Sequence, residues 1–306
     1  MLETAVIIRD KTRLEQLIER FNSKAQAKFY IERSGGSFDF YEREHEQFYI
    51  ALDSLTTCLK TILKTKIIFR EFLPTYIFTD SEIVVAIGQD GLVANTAKYL
   101  TGQFLAGVNP DPESYDGVLL PFNSTSAISA IKNVVKGHAN SKTVSLAKAT
   151  LNDGQELLAF NDFYIGAKSH VSSRYQITFK EASEVQSSSG IIISTQAGST
   201  GWLSSILNMA YNVSSHFGIR VQQSSFDLHQ TESDLVFTVR EPFASISSQT
   251  NIGFGLIKKG ECLIIESRMS ENGVIFSDGI ENDFLTFNAG SQVKITVASQ
   301  TVDLLI

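Results

Sequence analysis

The chain is poor in the residues that staple a fold or give it a strong positive field. It has two cysteines, Cys58 and Cys262, far apart and in no metal-ligand spacing. That excludes a disulfide framework and a cysteine zinc site, and it fits a reducing compartment. Basic residues are outnumbered, 26 Lys and Arg against 33 Asp and Glu, for a formal net charge of -7. Such a chain has no overall field for nucleic acid or an anionic membrane, so neither is expected as a partner. An anionic ligand must instead be held by local donors. No apolar run approaches the length that crosses a bilayer. The opening stretch MLETAVIIRDKTRLEQL mixes charge with short apolar runs and reads as neither a secretory signal nor a transit peptide. A soluble cytoplasmic protein is the expectation. The GxxxxGK[ST] loop and the dinucleotide GxGxxG are both missing, as are internal repeats. The five histidines are scattered, so no metal-binding set is expected and no Ser-His-Asp arrangement emerges.

What is present is enough apolar material for a sizeable core. The 306 residues are 43% hydrophobic and 19% charged, which allows one large domain or two ordinary ones. The first part alternates short apolar runs with helical spacing. TAVIIR (4–9), KIIFRE (66–71), EIVVAI (82–87) and QFLAGVN read as strands. RLEQLIERFNSKAQAKF, YEREHEQFYIALDSLTTCLKTIL and LVANTAKYL read as helices, and a further helix is expected over 126–136. Strand–helix alternation predicts a parallel sheet with helices on its faces. Past about residue 140 the segments KTVSLAKATL, ELLAFNDFYIGA, RYQITFKEA, SGIIIST, DLVFTVRE, ECLIIESRM, GVIFSD, QVKITVA and TVDLLI are strand-like, with one helix after Gly198. DLHQTESD reads as a polar connector. The fold class expected is therefore α/β plus all-β: an N-terminal α/β domain over 1–125 and a β-rich domain over 126–306.

Four stretches carry polar groups where a ligand could use them. VVAIGQDGLVANTAKYL is a buried strand, a turn at Gly88–Gly91 with Asp90, and a helix. It reads either as an ordinary β-turn or as backbone that admits a phosphate at a helix N-terminus. FNDFYIGAK sets Asn161 and Asp162 inside an apolar run, as an Asx turn or as partners for a sugar diol. GVNPDPESYDG is a rigid loop after a strand. STQAGSTGWLSSI leads from a hydroxyl-rich turn into the single tryptophan, Trp202. Ser199 or Thr200 would cap a helix there, with Trp202 packed as core, or the turn would wall a pocket with the indole covering a flat ring.

The order of these stretches is more specific than any one of them. GQDG, GVNPDP, NDFYIG, SGIIISTQAGSTGW and a late SDG together resemble the NAD kinase family, over most of the chain. REPF at 240–243 and SSRYQI at 172–177 look more like its mitochondrial-type branch. The resemblance implies an N-terminal nucleotide-binding domain, a β-rich C-terminal domain that binds NAD, and phosphorylation of the adenosine ribose 2′-hydroxyl by ATP or polyphosphate. ATP and NAD are then the substrates, Mg²⁺ accompanies ATP, and a homodimer or higher homo-oligomer is expected. Asp90 matches the aspartate that activates the hydroxyl, and Gly88 and Gly91 match glycines of the phosphate-cradling turn. Asn161 and Asp162 match the pair on the NAD ribose. Thr200, Gly201, Trp202 and Ser205 match the segment around the dinucleotide, with Trp202 where the family usually has Tyr. Lys11 and Arg13 are candidates for phosphate contacts or solvated helix-start charges. Gln89 stands where the family has its second glycine, Leu92 where Thr is common, and Ser189 where an acidic residue is common. Two other readings stay open: a related kinase acting on a lipid or sugar hydroxyl, and an NAD-binding sensor without transfer.

Overall fold

Six residues of the first strand, Thr4–Arg9 (β1), are buried at every position, as are the six of Glu82–Ile87 (β3). That is why both read as continuous apolar runs without alternation, the mark of parallel strands covered on both faces. The computed structural model describes residues 2–114, 116–219 and 234–306. These form two units, Met1–Thr143 with Val302–Ile306, and Val144–Thr301.

In the first unit, β1, β2 (Lys64–Phe69), β3 and β4 (Phe104–Val108) pair in parallel in the order β2-β1-β3-β4. Asp303 and Leu304, near the chain's end, pair in parallel with Phe104 and Leu105. The helices are α1 (Arg13–Phe21), α2 (Lys24–Arg33), α3 (Phe38–Leu59), α4 (Asp90–Ala97) and α5 (Ser124–Val135). The single helix expected over RLEQLIERFNSKAQAKF is two. Asn22 turns left-handed at φ 60 and ends α1, and the Ser23 hydroxyl accepts from Gln26 N–H to start α2. Leu52, Leu55 and Leu59 of α3 share one core with Ile128, Ile131 and Val134 of α5 and with Ile7 and Val85. This packing draws α5 into the first unit, so the division falls after Thr143 rather than after residue 125.

The second unit holds β5 (Ser141–Leu151, entering from the first unit), β6 (Glu156–Ala159), β7 (Asp162–Ala167), β8 (Ser173–Phe179), β9 (Ala182–Ser188), β10 (Ile191–Ser194), α6 (Trp202–His216), β11 (Leu235–Val239), β12 (Phe254–Ile257), β13 (Leu263–Ser267), β14 (Gly273–Ser277), β15 (Ile280–Thr286) and most of β16 (Gln292–Leu305). One antiparallel sheet runs β12-β11-β10-β7-β14-β15; a second set runs β16-β13-β8-β9, with β5 joining β16 and β6. Phe163, Ile165, Ile191, Ile193, Phe237 and Ile275 of the first meet Tyr175, Ile177, Leu263, Ile265 and Ile295 of the second in one core. ELLAFNDFYIGA is not one strand: it bends at Phe160 and Asn161 between β6 and β7. QVKITVA and TVDLLI are one strand, β16. The connector read at DLHQTESD lies outside the described residues except for Asp234. The architecture is the expected α/β unit followed by a β-rich unit. Among the described residues no helix is long and apolar enough to cross a membrane.

Gly107 gives a direct check on the first unit. A Cβ there would lie 2.0 Å from the Leu119 carbonyl oxygen and 3.2 Å from Val93. Gly107→Ala should therefore cost about 1–3 kcal/mol through overpacking. Gly91→Ala, with nothing within 4 Å of the added methyl, should leave stability unchanged or raise it by up to about 1 kcal/mol, since Ala outranks Gly inside a helix. Urea midpoints followed by far-ultraviolet dichroism measure both. A Gly107→Ala midpoint equal to wild type would contradict the packing of residues 117–119 on β4.

Candidate active site

The carboxyl ends of β1, β3 and β4 lie at one edge of the parallel sheet, where ligands of α/β folds gather. They border a pocket of about 290 Å³ whose lining includes Lys11, Arg13, Arg70, Gly88, Gly91 and Asp111. Gly88 has φ +154, and a Cβ there would meet Leu92 Cδ2 at 3.2 Å. This turn has a use for glycine. Gln89 has φ -105 and ψ 163, ordinary extended backbone, and its side chain is exposed. The loop therefore accommodates glutamine without strain.

α4 begins at Asp90 itself, two residues earlier than the expected start at Leu92, with the acid in the first turn where the helix dipole favours it. The Asp90 carboxylate does not line the pocket. Its Oδ1 accepts from Leu119 N–H at 2.8 Å and its Oδ2 from Val118 N–H at 3.1 Å, and each oxygen keeps a second lone pair. Lys11 and Arg13 do line the pocket, and both hold carboxylates: Lys11 meets Glu19 at 2.6 Å and Arg13 meets Glu44 at 3.5 Å. Arg70 meets Asp10 at 2.9 Å. Each of these cations has further N–H donors beyond the ones its carboxylate takes, so a phosphate contact would be shared with those acids.

In the second unit, Asn161 and Asp162 sit at the bend into β7. Three consecutive backbone N–H groups there point at one carboxylate. Asp278 Oδ2 accepts from Phe160 at 3.1 Å, and Asp278 Oδ1 accepts from Asn161 at 2.6 Å and from Asp162 at 3.3 Å. The Asp278 N–H returns to the Asp162 carbonyl at 3.0 Å. Across the bend, Thr195 N–H donates to the Asn161 carbonyl at 2.9 Å, and Thr195 Oγ1 donates to the Phe160 carbonyl. Gly198 fits against this bend because it has no side chain: a Cβ would lie 2.2 Å from the Asn161 carbonyl oxygen. The Asn161 Oδ1 is buried and has no hydrogen-bond partner. The Asp162 side chain is buried beside it. Burial first, and the Asp278 charge second, push its carboxyl up to about 7. A buried acceptor and a carboxyl poised between its two forms can together bond a hydroxyl pair.

Alternation along β7 places Asp162 and Tyr164 on one face, opposite the core-facing Phe163 and Ile165. Trp202 stacks on Tyr164 with centroids 5.8 Å apart and planes 6° apart, and Tyr164 stacks on Phe276 at 5.0 Å. The Arg240 guanidinium lies 5.3 Å from the indole centroid. Trp202 is thus a packing residue of this outer face, and it also borders a pocket of about 420 Å³ with Lys168, His170, Arg240 and Phe284. The expected cap by Ser199 or Thr200 is absent. Gly201 occupies the N-cap position with no side-chain hydrogen bond, because residues 197–200 wind into a 3-10 turn first. Thr200, Gly201 and Ser205 are exposed around the start of α6, and Ser205 Oγ donates back to the Gly201 carbonyl at 3.4 Å.

Tyr164, Arg240 and Asp278 lie in the motifs NDFYIG, REPF and SDG, but none of the three has a role of its own from sequence. The period-two relation to Asp162 could have flagged Tyr164, whereas nothing local flags the partner of Asp278. Among the described residues no three His, Cys, Asp or Glu side chains converge on a metal position.

No family model and no curated protein matches the chain. Among solved structures it is similar to an NAD kinase from Archaeoglobus fulgidus in complex with ATP, with a TM-score of 0.55 and 12% identity. That match covers 99% of this chain and 93% of the other. The likeness shows that the two share a fold.

Asp162 makes stability depend on pH. Its folded value near 7 lies above the ordinary carboxylate range of the unfolded chain. The protonated form is favoured in the fold, so stability is fully present in acid and is lost as pH rises toward 7. The loss is at most roughly 4 kcal/mol. Urea midpoints across this window should fall with pH in wild type and fall less in Asp162→Asn. Equal slopes in the two proteins would place Asp162 in water rather than in the bend.

Proposed function

We propose that the protein is an ATP-dependent NAD kinase, transferring the γ-phosphoryl group of ATP to the adenosine ribose 2′-hydroxyl of NAD. The observation that carries this reading is the buried, unpartnered Asn161 Oδ1 beside the buried Asp162, held on a rigid bend. An orphaned buried acceptor costs about 1–3 kcal/mol, which a bound hydroxyl would offset. The ordered motifs and the fold shared with an NAD kinase support the same reading; the branch-level resemblance rests on REPF and SSRYQI alone.

Each unit has its own part. In the second, Asn161 accepts from a ribose hydroxyl and Asp162 donates or accepts according to its protonation. In the first, Gly91 presents bare backbone at the start of α4, where N–H groups and the helix dipole favour phosphate. Phosphoryl transfer asks mainly for positioning and charge neutralisation. The 2′-oxygen forms the new bond to phosphorus as the bond to the bridging oxygen of ADP breaks. The hydroxyl proton leaves late in the transfer to a general base, and Asp90, with a lone pair open on each carboxylate oxygen, is the first unit's candidate for it. Mg²⁺ enters as part of the ATP substrate, and no residue of the chain is assigned to it. A homo-oligomer belongs to this reading.

One observation favours a second reading. Asp90 turns its carboxylate to the amides of residues 118–119 rather than to the pocket, as suits an NAD sensor without transfer. Incubation with MgATP, or with polyphosphate, and NAD separates the two: a kinase forms NADP, while a sensor only binds NAD. If NADP forms, Asp90→Asn should lower kcat by about 10²–10⁴-fold. Retention of more than about a tenth of kcat would remove Asp90 from the chemistry.

A further inference from the structure

Asp278 stands 116 residues from the bend it holds. Its own turn does not call for a carboxylate. Asp278 and Gly279 have φ +55 and +70, two left-handed residues between β14 and β15, and Asn-Gly serves such hairpins as well as Asp-Gly. The carboxylate instead accepts all three amides of residues 160–162 and brings a negative charge to the backbone of Asp162.

We propose that Asp278 is a positioning residue with two effects: its oxygens fix the Asn161–Asp162 bend, and its charge disfavours a second carboxylate at Asp162. Asp162 then meets the ligand as a carboxylic acid whose O–H donates to a hydroxyl oxygen, while Asn161 Oδ1 accepts from a hydroxyl. The pair reads a vicinal diol with one donor and one acceptor, a pattern that two ionised carboxylates, which only accept, would not reproduce. The groups facing Asp162 from neighbouring strands are uncharged apart from Asp278: β10 sets Ser194 opposite it, and β14 sets Ser277 opposite the adjoining Phe163. Burial also raises the Asp162 carboxyl, so removal of Asp278's charge lowers its midpoint without returning it to the range of an exposed acid. The diol assignment rests on the NAD reading; the charge effect does not.

The test uses the full chain without ligand. Carbon-detected NMR follows the Asp162 side-chain carboxyl, assigned by its loss in Asp162→Asn, through a pH titration of wild type and Asp278→Asn. Asparagine keeps the turn and one acceptor oxygen but removes the charge; Asp278→Gly, which also suits a left-handed turn position, removes the charge if the first variant folds poorly. The expected result is a midpoint near neutrality in wild type and a fall of about one unit or more in the variant. An unmoved midpoint overturns the proposal. The NAD affinity, read from Trp202 fluorescence, is then measured from mildly acidic to mildly alkaline pH. It should weaken as Asp162 ionises, and the weakening should begin at lower pH in Asp278→Asn. A loss of affinity equal at every pH would mean that Asp278 only holds the bend, and would also overturn the proposal. A shifted midpoint in a protein that binds no NAD would leave the charge effect standing and remove the NAD reading alone.

Discussion

A carboxylate gathering the three amides of residues 160–162 is the interaction on which the second unit's site depends. It holds the amide side of the bend between β6 and β7, while Thr195 holds the carbonyls of Asn161 and Phe160 from the other side. The bend sets the register that follows. From Asp162 onward, odd positions enter the core between the sheets and even positions take the opposite face, so Phe163 and Ile165 pack in the large core while Tyr164 packs with Trp202 and Phe276. A slip of one residue would bury Tyr164 in the core and expel Ile165. The position of the polar pair and the identity of the core are therefore one fact.

The first unit uses the same device. Asp90 holds the amides of Val118 and Leu119, and the Leu119 carbonyl lies over Gly107, where no side chain fits. Asn109 N–H donates to the Phe122 carbonyl at 2.7 Å, and Asn109 Oδ1 accepts from Asp111 N–H at 3.0 Å. The turn after β3 and the loop after β4 thus form one piece of backbone, joined by an aspartate and made possible by a glycine. GQDG and GVNPDP belong together for this reason. An aspartate so placed is oriented before any substrate arrives, which is what a positioned base requires and also what a purely structural aspartate does.

Local physics determined how much was legible. Buried strands announce themselves as runs such as Ile83–Ile87, and α3 as a helical stripe through Phe48, Leu52, Leu55 and Leu59, since both patterns repeat over short distances. The break at Asn22 is a single left-handed residue within a helical pattern, which periodicity passes over. The start of the second unit depended on whether α5 packs with α3, a contact no segment reports by itself. For the candidate site, Asn161, Asp162 and the turn at 195–201 were readable because polar residues interrupt apolar runs. Asp278 was readable only as the middle of the SDG motif, without a role, because its hydrogen-bond partners lie more than a hundred residues away.

The hydroxyl-rich turn before Trp202 has two duties, and the glycines show how they fit together. Gly198 lets the turn press on the Asn161 backbone, which keeps the polar pair in place. The chain then leaves at Gly201 into α6, whose first residue is the tryptophan. The floor beneath is also glycine. A Cβ at Gly190 would lie 2.6 Å from the Tyr164 ring, and one at Gly166 would lie 2.7 Å from the Tyr164 hydroxyl oxygen. Tyr164 therefore settles low over β10 and β7, and its upper face is left for a ring as broad as indole. The helix start and the pocket wall, which competed as explanations of the single tryptophan, are two ends of one packing arrangement. One end is fixed by backbone contact with Asn161, and the other by aromatic stacking on Tyr164.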